Sequence, residues 1–410
     1  MTVGFARRSL LATDRRDSST GRGLDGSASH SDSVLRDERW ATTLSAALLS
    51  GDDDPEEVSL IARGIATAVS PEGGLTDTQA DLLEAIAASL TGVTLDYRAL
   101  EPLGPEELHD ALVDHGDEFR HRIVQYMVLG ELVLRPLPTA VSFRVATYAK
   151  ALDVEDKFVR VARRYAQGAY GLAWMDLQRN GFADHVRGAV DVDAPDRSTG
   201  HGSGDPFAPA QVDPELAERW SAFRECPTGS LGRGVIDMYE GRGFKIPGLP
   251  GAAPAYLAQH DFVHVLADYG TNLQGELEVF ALIARADPDP KGFAWLATLF
   301  GLFETGYIAD TGFFKRDTSG GHYAVAPGMN RRIADAIQRG KVVCARTERD
   351  LFEVDYYRVA DRSVGEVREM LGVPPKSAVA LEEGSPGIFD LQGMSDQQRR
   401  FALERSGDDG

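Results

Sequence analysis

Cysteine is nearly missing from this chain. Cys226 and Cys344 are the two in 410 residues, so neither a disulfide framework nor a four-cysteine zinc site can be built. Long apolar runs are missing too. The longest, Phe293 to Phe303, is about half of the roughly 20 residues that a membrane-spanning helix needs. Positive charge is scarce: 43 Lys and Arg stand against 63 Asp and Glu, for a formal net charge of −20. That balance excludes a broad nucleic-acid surface, because phosphate binding is driven by Lys and Arg neutralising the backbone. It leaves room for a small polyanion pocket. Strand-like alternation of apolar and polar residues is also absent as a sustained pattern. What is present is ample hydrophobic content, 43%, and enough length for two domains of about 100–200 residues each.

Arg7, Arg8, Arg15 and Arg16 raise the question of targeting. A secretory signal needs an apolar stretch after its basic residues, and here Ser9-Leu10-Leu11-Ala12 is cut off by Thr13-Asp14-Arg15-Arg16. Asp14, Asp17 and Asp25 count against a mitochondrial presequence, which is poor in acids. Residues 1–39 therefore read as a disordered tail rich in Ser, Gly, Arg and Asp. A cytoplasmic location is expected, with peripheral contact at an inner membrane as the second expectation.

From Trp40 the texture changes. Leu82, Leu83, Ile86 and Leu90, then Phe143, Val145, Ala146 and Ala149, then Phe158, Val161 and Ala162 recur at helical spacing. Ser70-Pro71-Glu72 and Thr76-Asp77 read as helix starts, and Pro105-Glu106-Glu107 as a first turn with acids on the positive dipole end. Residues 40–190 are expected to form a helical domain. Residues 191–213, dense in Asp, Gly, Ser and Pro, read as a flexible linker. A second helical domain is expected over 214–375, followed by a poorly ordered tail over 376–410. The fold class is all-α: two helical domains joined by a flexible linker, with disordered termini.

The segment that carries chemistry is His260-Asp261-Phe262-Val263-His264. On a helix the two imidazoles sit one turn apart, with Cβ atoms about 5–6 Å from each other, and Asp261 borders their face. Such a group can share one divalent ion through bonds of about 2.0–2.2 Å. Glu276 follows His264 at a distance that on one straight helix would be about 18 Å, too far for a common ion. Tyr269-Gly270-Thr271-Asn272, however, reads as a stop and restart, with Gly270 as the C-terminal cap and Asn272 as the N-cap. If the chain reverses there, Glu276 returns to the height of His264 as a fourth ligand. Taken alone, the His pair also suits a solvated helix face. A zinc protease would need a Glu inside His-Glu-x-x-His as its base, and Asp261 is one methylene shorter. A phosphohydrolase would need a further His upstream and an Asp downstream on other helices; His121 or His185 could be nominated, but nothing in the local pattern supports either.

The string from His260 to Glu276 resembles the signature of the coenzyme Q (ubiquinone) biosynthesis protein 4 family. Gly229-Ser230-Leu231-Gly232-Arg233, Thr271-Asn272-x-x-Gly275-Glu276, Ala336 to Lys341, Val354-Asp355-Tyr356-Tyr357 and Val367 to Val373 extend the likeness. It spans about residues 215–375. Tyr356-Tyr357 departs from it where a Trp-containing segment is expected, as does the long amino-terminal region. The resemblance implies an all-helical domain that binds zinc or a similar divalent metal through His260, Asp261, His264 and Glu276. It also implies a hydrophobic cavity for a prenylated quinone precursor or another hydrophobic small molecule, and protein partners of the quinone pathway. The activity implied is lyase-like: removal of a ring carboxylate with its replacement by oxygen. Four protein ligands equally suit a structural site, so a non-catalytic lipid-binding or scaffold protein is the second reading and a metal hydrolase the third. No catalytic residue is assigned by the pattern, and neither is an oligomeric state.

Ser230 reads as the N-cap of a helix starting at Leu231, and Ser230 with Arg233 as a substrate-binding pair. The run Phe293 to Phe303 reads as core, or else as a channel for a prenyl tail. In the first region, His109, Asp110, Asp114, His115, Asp117, Glu118 and His121 read as a solvated charged face. Pro71-Glu72-Gly73-Gly74-Leu75-Thr76-Asp77 gives that region a similarity to the TerB-like helical module of tellurite resistance, which implies an acidic, metal-linked or membrane-stress adaptor.

Overall fold

The structure is a computed structural model that describes residues 54–169, 212–253, 255–287, 323–347 and 350–408, with Gly292, Phe293, Leu296, Ala297, Leu299 and Phe300. The expected amino-terminal tail and nearly all of the expected linker lie outside these residues, as does His185. The fold is all-α. Fourteen α-helices and no strand occur among the described residues, and extended backbone pairs only in an isolated bridge between Ser230 and Ser363.

The first six helices are α1 (Pro55–Val69), α2 (Asp77–Thr91), α3 (Pro105–Ala111), α4 (Asp117–Leu132), α5 (Thr139–Ala151) and α6 (Lys157–Ala166). Their starts follow side-chain chemistry. Asp54 accepts from the Glu56 amide ahead of Pro55, and Thr76 forms a reciprocal capping box with Gln79. Ser70 turns out to close α1 rather than open a helix: its amide bonds the Ala66 carbonyl, and Pro71, which has no N–H, cannot continue the ladder. Gln79 is wholly buried, and its Nε2 donates to the carbonyls of Val69 and Gly130 at 2.9 Å each, tying α2 to the ends of α1 and α4.

The remaining helices are α7 (Pro214–Ser221), α8 (Leu231–Arg242), α9 (Gln259–Ala267), α10 (Leu273–Ala286), α11 (Met329–Thr347), α12 (Val364–Leu371), α13 (Ala378–Glu382) and α14 (Asp396–Asp408). Every residue of α10 from Gly275 to Ala286 is buried, and the charged ones among them, Glu276, Glu278 and Arg285, each have a polar partner. α11 lies along it at close range. A Cβ added at Gly340 would meet the Leu282 carbonyl and come within 3.0 Å of the Arg285 Cβ, so glycine lets the two backbones approach. The described part of the apolar run belongs to this core. Phe293, Leu296, Ala297 and Phe300 are buried, and Phe293 meets Tyr126 edge-on with ring centres 5.5 Å apart.

Two features differ from the sequence expectation. Packing continues from one helical region to the other, through α2 on α11. Gln338 and Lys341 donate to the Ala85 and Ala88 carbonyls at 3.3 and 3.1 Å, and Arg285 bonds the Ser89 hydroxyl and carbonyl at 3.0 and 2.8 Å. Composition cannot reveal such a seam, because its polar groups are spread over three helices. The second difference is at the carboxyl end. Residues 376–408, expected to be a poorly ordered tail, form α13 and α14 and hydrogen-bond to the turn between α9 and α10. Their low hydrophobicity misleads because, beside a few buried apolar side chains such as Ile388, backbone groups and the polar side chains of Ser385 and Gln398 attach them. No helix of the described residues is long and apolar enough to cross a membrane.

Candidate metal centre

α9 is short and buried along nearly its whole length, from His260 to Ala267. Phe262 holds it from one side, stacked on Tyr356 with ring centres 4.7 Å apart and planes within 10°. Tyr356 is in turn fixed by its hydroxyl, which donates to the Leu351 carbonyl at 3.0 Å. α9 ends on Asp268 in the left-handed conformation (φ 60°), and α10 begins at Asn272, whose side chain accepts from the Gly275 amide at 2.8 Å. The expected N-cap is therefore found, while the expected C-terminal cap at Gly270 is not: Asp268 closes α9 two residues earlier. Gly270 is required for a close approach: a Cβ there would lie 2.5 Å from the Gly393 Cα.

The reversal brings the four sequence-predicted residues together. His260, Asp261 and His264 each offer a donor atom, all within 4.8 Å of one another. The Glu276 carboxylate spans both imidazoles, with Oε2 3.4 Å from His260 Nε2 and Oε1 3.3 Å from His264 Nε2. Asp261 Oδ1 is 3.6 Å from His260 Nε2. Bonds of about 2.0–2.2 Å place neighbouring donors of a tetrahedron about 3.3–3.6 Å apart; the three contacts of the Nε2 atoms match that spacing, and His260, Asp261 and His264 together could hold an ion.

Hydrogen bonding agrees with that geometry. His260 Nδ1 donates to the Leu257 carbonyl and His264 Nδ1 to the Tyr269 carbonyl at 3.3 Å. In the neutral imidazole this leaves each Nε2 lone pair turned inward, the arrangement in which a ligand histidine is fixed by its other nitrogen. His264 Nε2 is completely buried and has no hydrogen-bond partner, although the Glu276 oxygen is at hand; the two atoms approach without the alignment of a hydrogen bond. Buried polar atoms are normally paired, and an ion would pair this one. The Tyr239 hydroxyl on α8 donates to Asp261 Oδ2 at 2.5 Å and leaves Oδ1 facing His260.

The charges are strongly coupled. Burial pushes the His260 imidazole down, but Asp261 and Glu276 outweigh it and hold the pKa at about 9. Burial pushes the Glu276 carboxyl up, and His264 with His260 reverses this to about 2. For Asp261 burial wins over His260, His264 and Tyr239, and its carboxyl lies above its ordinary value. Burial and the neighbouring Asp261 carboxylate both raise the Tyr239 phenol, which keeps its proton and so remains a donor.

The other predicted site residues fall elsewhere. Ser230 is the buried N-cap of α8, accepting from the Arg233 amide at 3.3 Å. The Arg233 guanidinium turns outward, to Asp237 at 2.8 Å and the Arg224 carbonyl at 3.3 Å, and does not join the four donors. In the first region His115 pairs with Glu57 at 2.5 Å and His121 with Asp156 at 2.6 Å, and no second metal-type cluster occurs among the described residues. Tyr239 was not foreseeable from local pattern. Its one sequence signal is a three-residue offset from Arg242, which puts both on one face of α8. No protein-family model matches the chain, and no curated protein or solved structure matches it.

Proposed function

We propose that this chain is a divalent-metal protein, zinc or a similar ion being held by His260, Asp261, His264 and Glu276, that acts on a prenylated aromatic acid to remove its ring carboxylate. One observation carries the metal reading: His260, Asp261 and His264 offer donors within 4.8 Å of one another, Glu276 oxygens lie 3.4 and 3.3 Å from the two Nε2 atoms, and both Nδ1–H groups are committed to carbonyls. The substrate class and the lyase-type reaction come from the resemblance to the coenzyme Q biosynthesis protein 4 family. When bound, the metal would supply Lewis-acid polarisation of a ring carboxylate and an adjacent phenolate oxygen. The protein's own part is to orient both rings through their Nδ1–H groups so that each Nε2 faces the carboxylates, to hold Asp261 through Tyr239, and to limit water at the site by burial.

A second reading has its own support. The site is nearly closed: His264 is fully buried and Glu276 is 9% exposed. Four protein donors and burial suit a structural ion that pins α9 to α10. Under the enzymatic reading a carboxylate ligand must yield a position to substrate.

Metal analysis of the purified chain beside His264→Ala, with mass spectrometry of copurified lipids, tests both. About one metal per chain, lost in His264→Ala, together with a bound prenylated aromatic acid is the expected result. Full metal content in His264→Ala overturns the metal reading. Metal without any prenylated lipid, and unfolding on chelation, leaves the structural pin as the function.

A further inference from the structure

We infer that the carboxyl-terminal segment from Gly387 to Gln398 is a clamp that sets the position of Glu276, and that Arg242, Thr271 and Gln398 are positioning residues of the metal centre; this rests on the metal reading above. The turn that returns Glu276 to the imidazoles is bonded to the carboxyl-terminal segment at several points. It is gripped from outside. The Thr271 and Asn272 amides both donate to the Gly393 carbonyl, at 2.7 and 2.9 Å, and Asn272 Nδ2 donates to the Gln392 carbonyl at 2.8 Å. Asp268, which closes α9, accepts from the Ile388 amide at 2.9 Å. The Gly270 and Gly393 backbones touch with no room for a side chain on either.

A buried polar chain completes the grip. Thr271 Oγ1 donates to Gln398 Oε1 at 2.8 Å and accepts from Arg242 Nε at 2.6 Å, while Gln398 Nε2 returns a bond to the Thr271 carbonyl at 3.2 Å. Arg242 also donates to the Ile388 carbonyl. Thr271 and Gln398 are both 2% exposed and Arg242 is 4% exposed. These bonds fall on the first turn of α10, where the Glu276 amide donates to the Asn272 carbonyl at 2.9 Å. Any slackening at Thr271 therefore moves Glu276 relative to both imidazoles. α8 serves both ends of the site: Tyr239 holds Asp261, and Arg242, one turn on, holds the turn before Glu276. Partners of ligands typically govern metal affinity by about 10–100-fold. The lower figure is appropriate here, since the clamp acts through backbone.

The test is titration of the metal-stripped full chain with Co2+, read by visible absorption and by competition with a chromophoric chelator. Thr271→Val removes the hydroxyl and keeps the shape, Thr271→Ser keeps the hydroxyl, and Gln398→Ala removes the far partner. Thr271→Val and Gln398→Ala should each bind Co2+ about 10-fold more weakly with a changed absorption band, and Thr271→Ser should behave as the wild type. Should Thr271→Val fail to fold, Gln398→Ala carries the same comparison. Wild-type affinity and spectrum in both Thr271→Val and Gln398→Ala overturn the clamp and leave the metal reading intact. A Thr271→Ser variant as weak as Thr271→Val also overturns it. A wild-type chain that takes up no Co2+, or a His264→Ala chain that keeps it, removes the metal reading and the clamp with it.

Discussion

Glu131, near the end of α4, is fully buried, and neither carboxyl oxygen has a hydrogen-bond partner among the described residues. Burial alone holds its pKa well above the ordinary 4.5. The folded state therefore keeps a proton that the unfolded chain gives up near 4.5. Stability is then greatest below that pH and declines as pH rises through and beyond it. Glu131→Met, similar in volume and without a charge to desolvate, should raise stability at pH 7 by about 1–3 kcal/mol. It should also flatten the pH dependence above about 4.5, measured as urea midpoints across a pH series. An unchanged midpoint at pH 7 would contradict the assignment. Glu278 differs from Glu131 in having partners. That carboxylate is equally buried, yet it meets Arg332 at 3.1 and 2.6 Å and accepts from the Ser385 hydroxyl at 2.6 Å.

At the scale of elements, the α10–α11 contact fixes the helix that carries Glu276. Gly340→Ala adds a methyl against the Leu282 carbonyl. Alanine's better helix propensity favours the variant by at most about 1 kcal/mol, and overpacking against backbone costs about 1–3 kcal/mol. The clash should win, giving a lower melting temperature, while Gly365→Ala, with open space around its Cβ, should be neutral or slightly stabilising. Equal melting temperatures for the two variants would show that α11 moves aside freely. Legibility from sequence divides at this same scale. The caps at Thr76, Ser230 and Asn272, and the reversal that makes Glu276 a neighbour of His264, are written in local chemistry and could be read from it. The true uses of Gly270 and Tyr239 could not. Each depends on a partner far along the chain, the Gly393 backbone for one and the Asp261 side chain for the other.

For the whole molecule, the seam between the two helical regions decides how it unfolds. Arg285, Gln338 and Lys341 supply donors to carbonyls in the last two turns of α2, of which Ser89 lies among the last four that helix geometry leaves without an intrahelical partner. The sequence boundary at 191–213 suggests two independent bodies because linkers are read from composition, whereas a seam is made of contacts. Arg285→Met should lower stability by about 1.5–3 kcal/mol, the range for a hydrogen bond to a charged group. Hydrogen exchange should quicken in the last turn of α2 as well as in α10. Exchange confined to α10, or two separate thermal transitions in the wild type with α2 unaffected by the change, would refute a shared core.

The bond from Asn272 to the Gln392 carbonyl joins positions 120 residues apart. During synthesis, at about 5–20 residues per second, the reversal between α9 and α10 is thus made about 6–24 seconds before the segment that secures it. Until then the turn between the two helices lacks its bonds to the Gln392 and Gly393 carbonyls. The proposed metal site is thus complete only once residues 387–398 have been made, and a chain cut before Gly387 should take up Co2+ more weakly than the whole one.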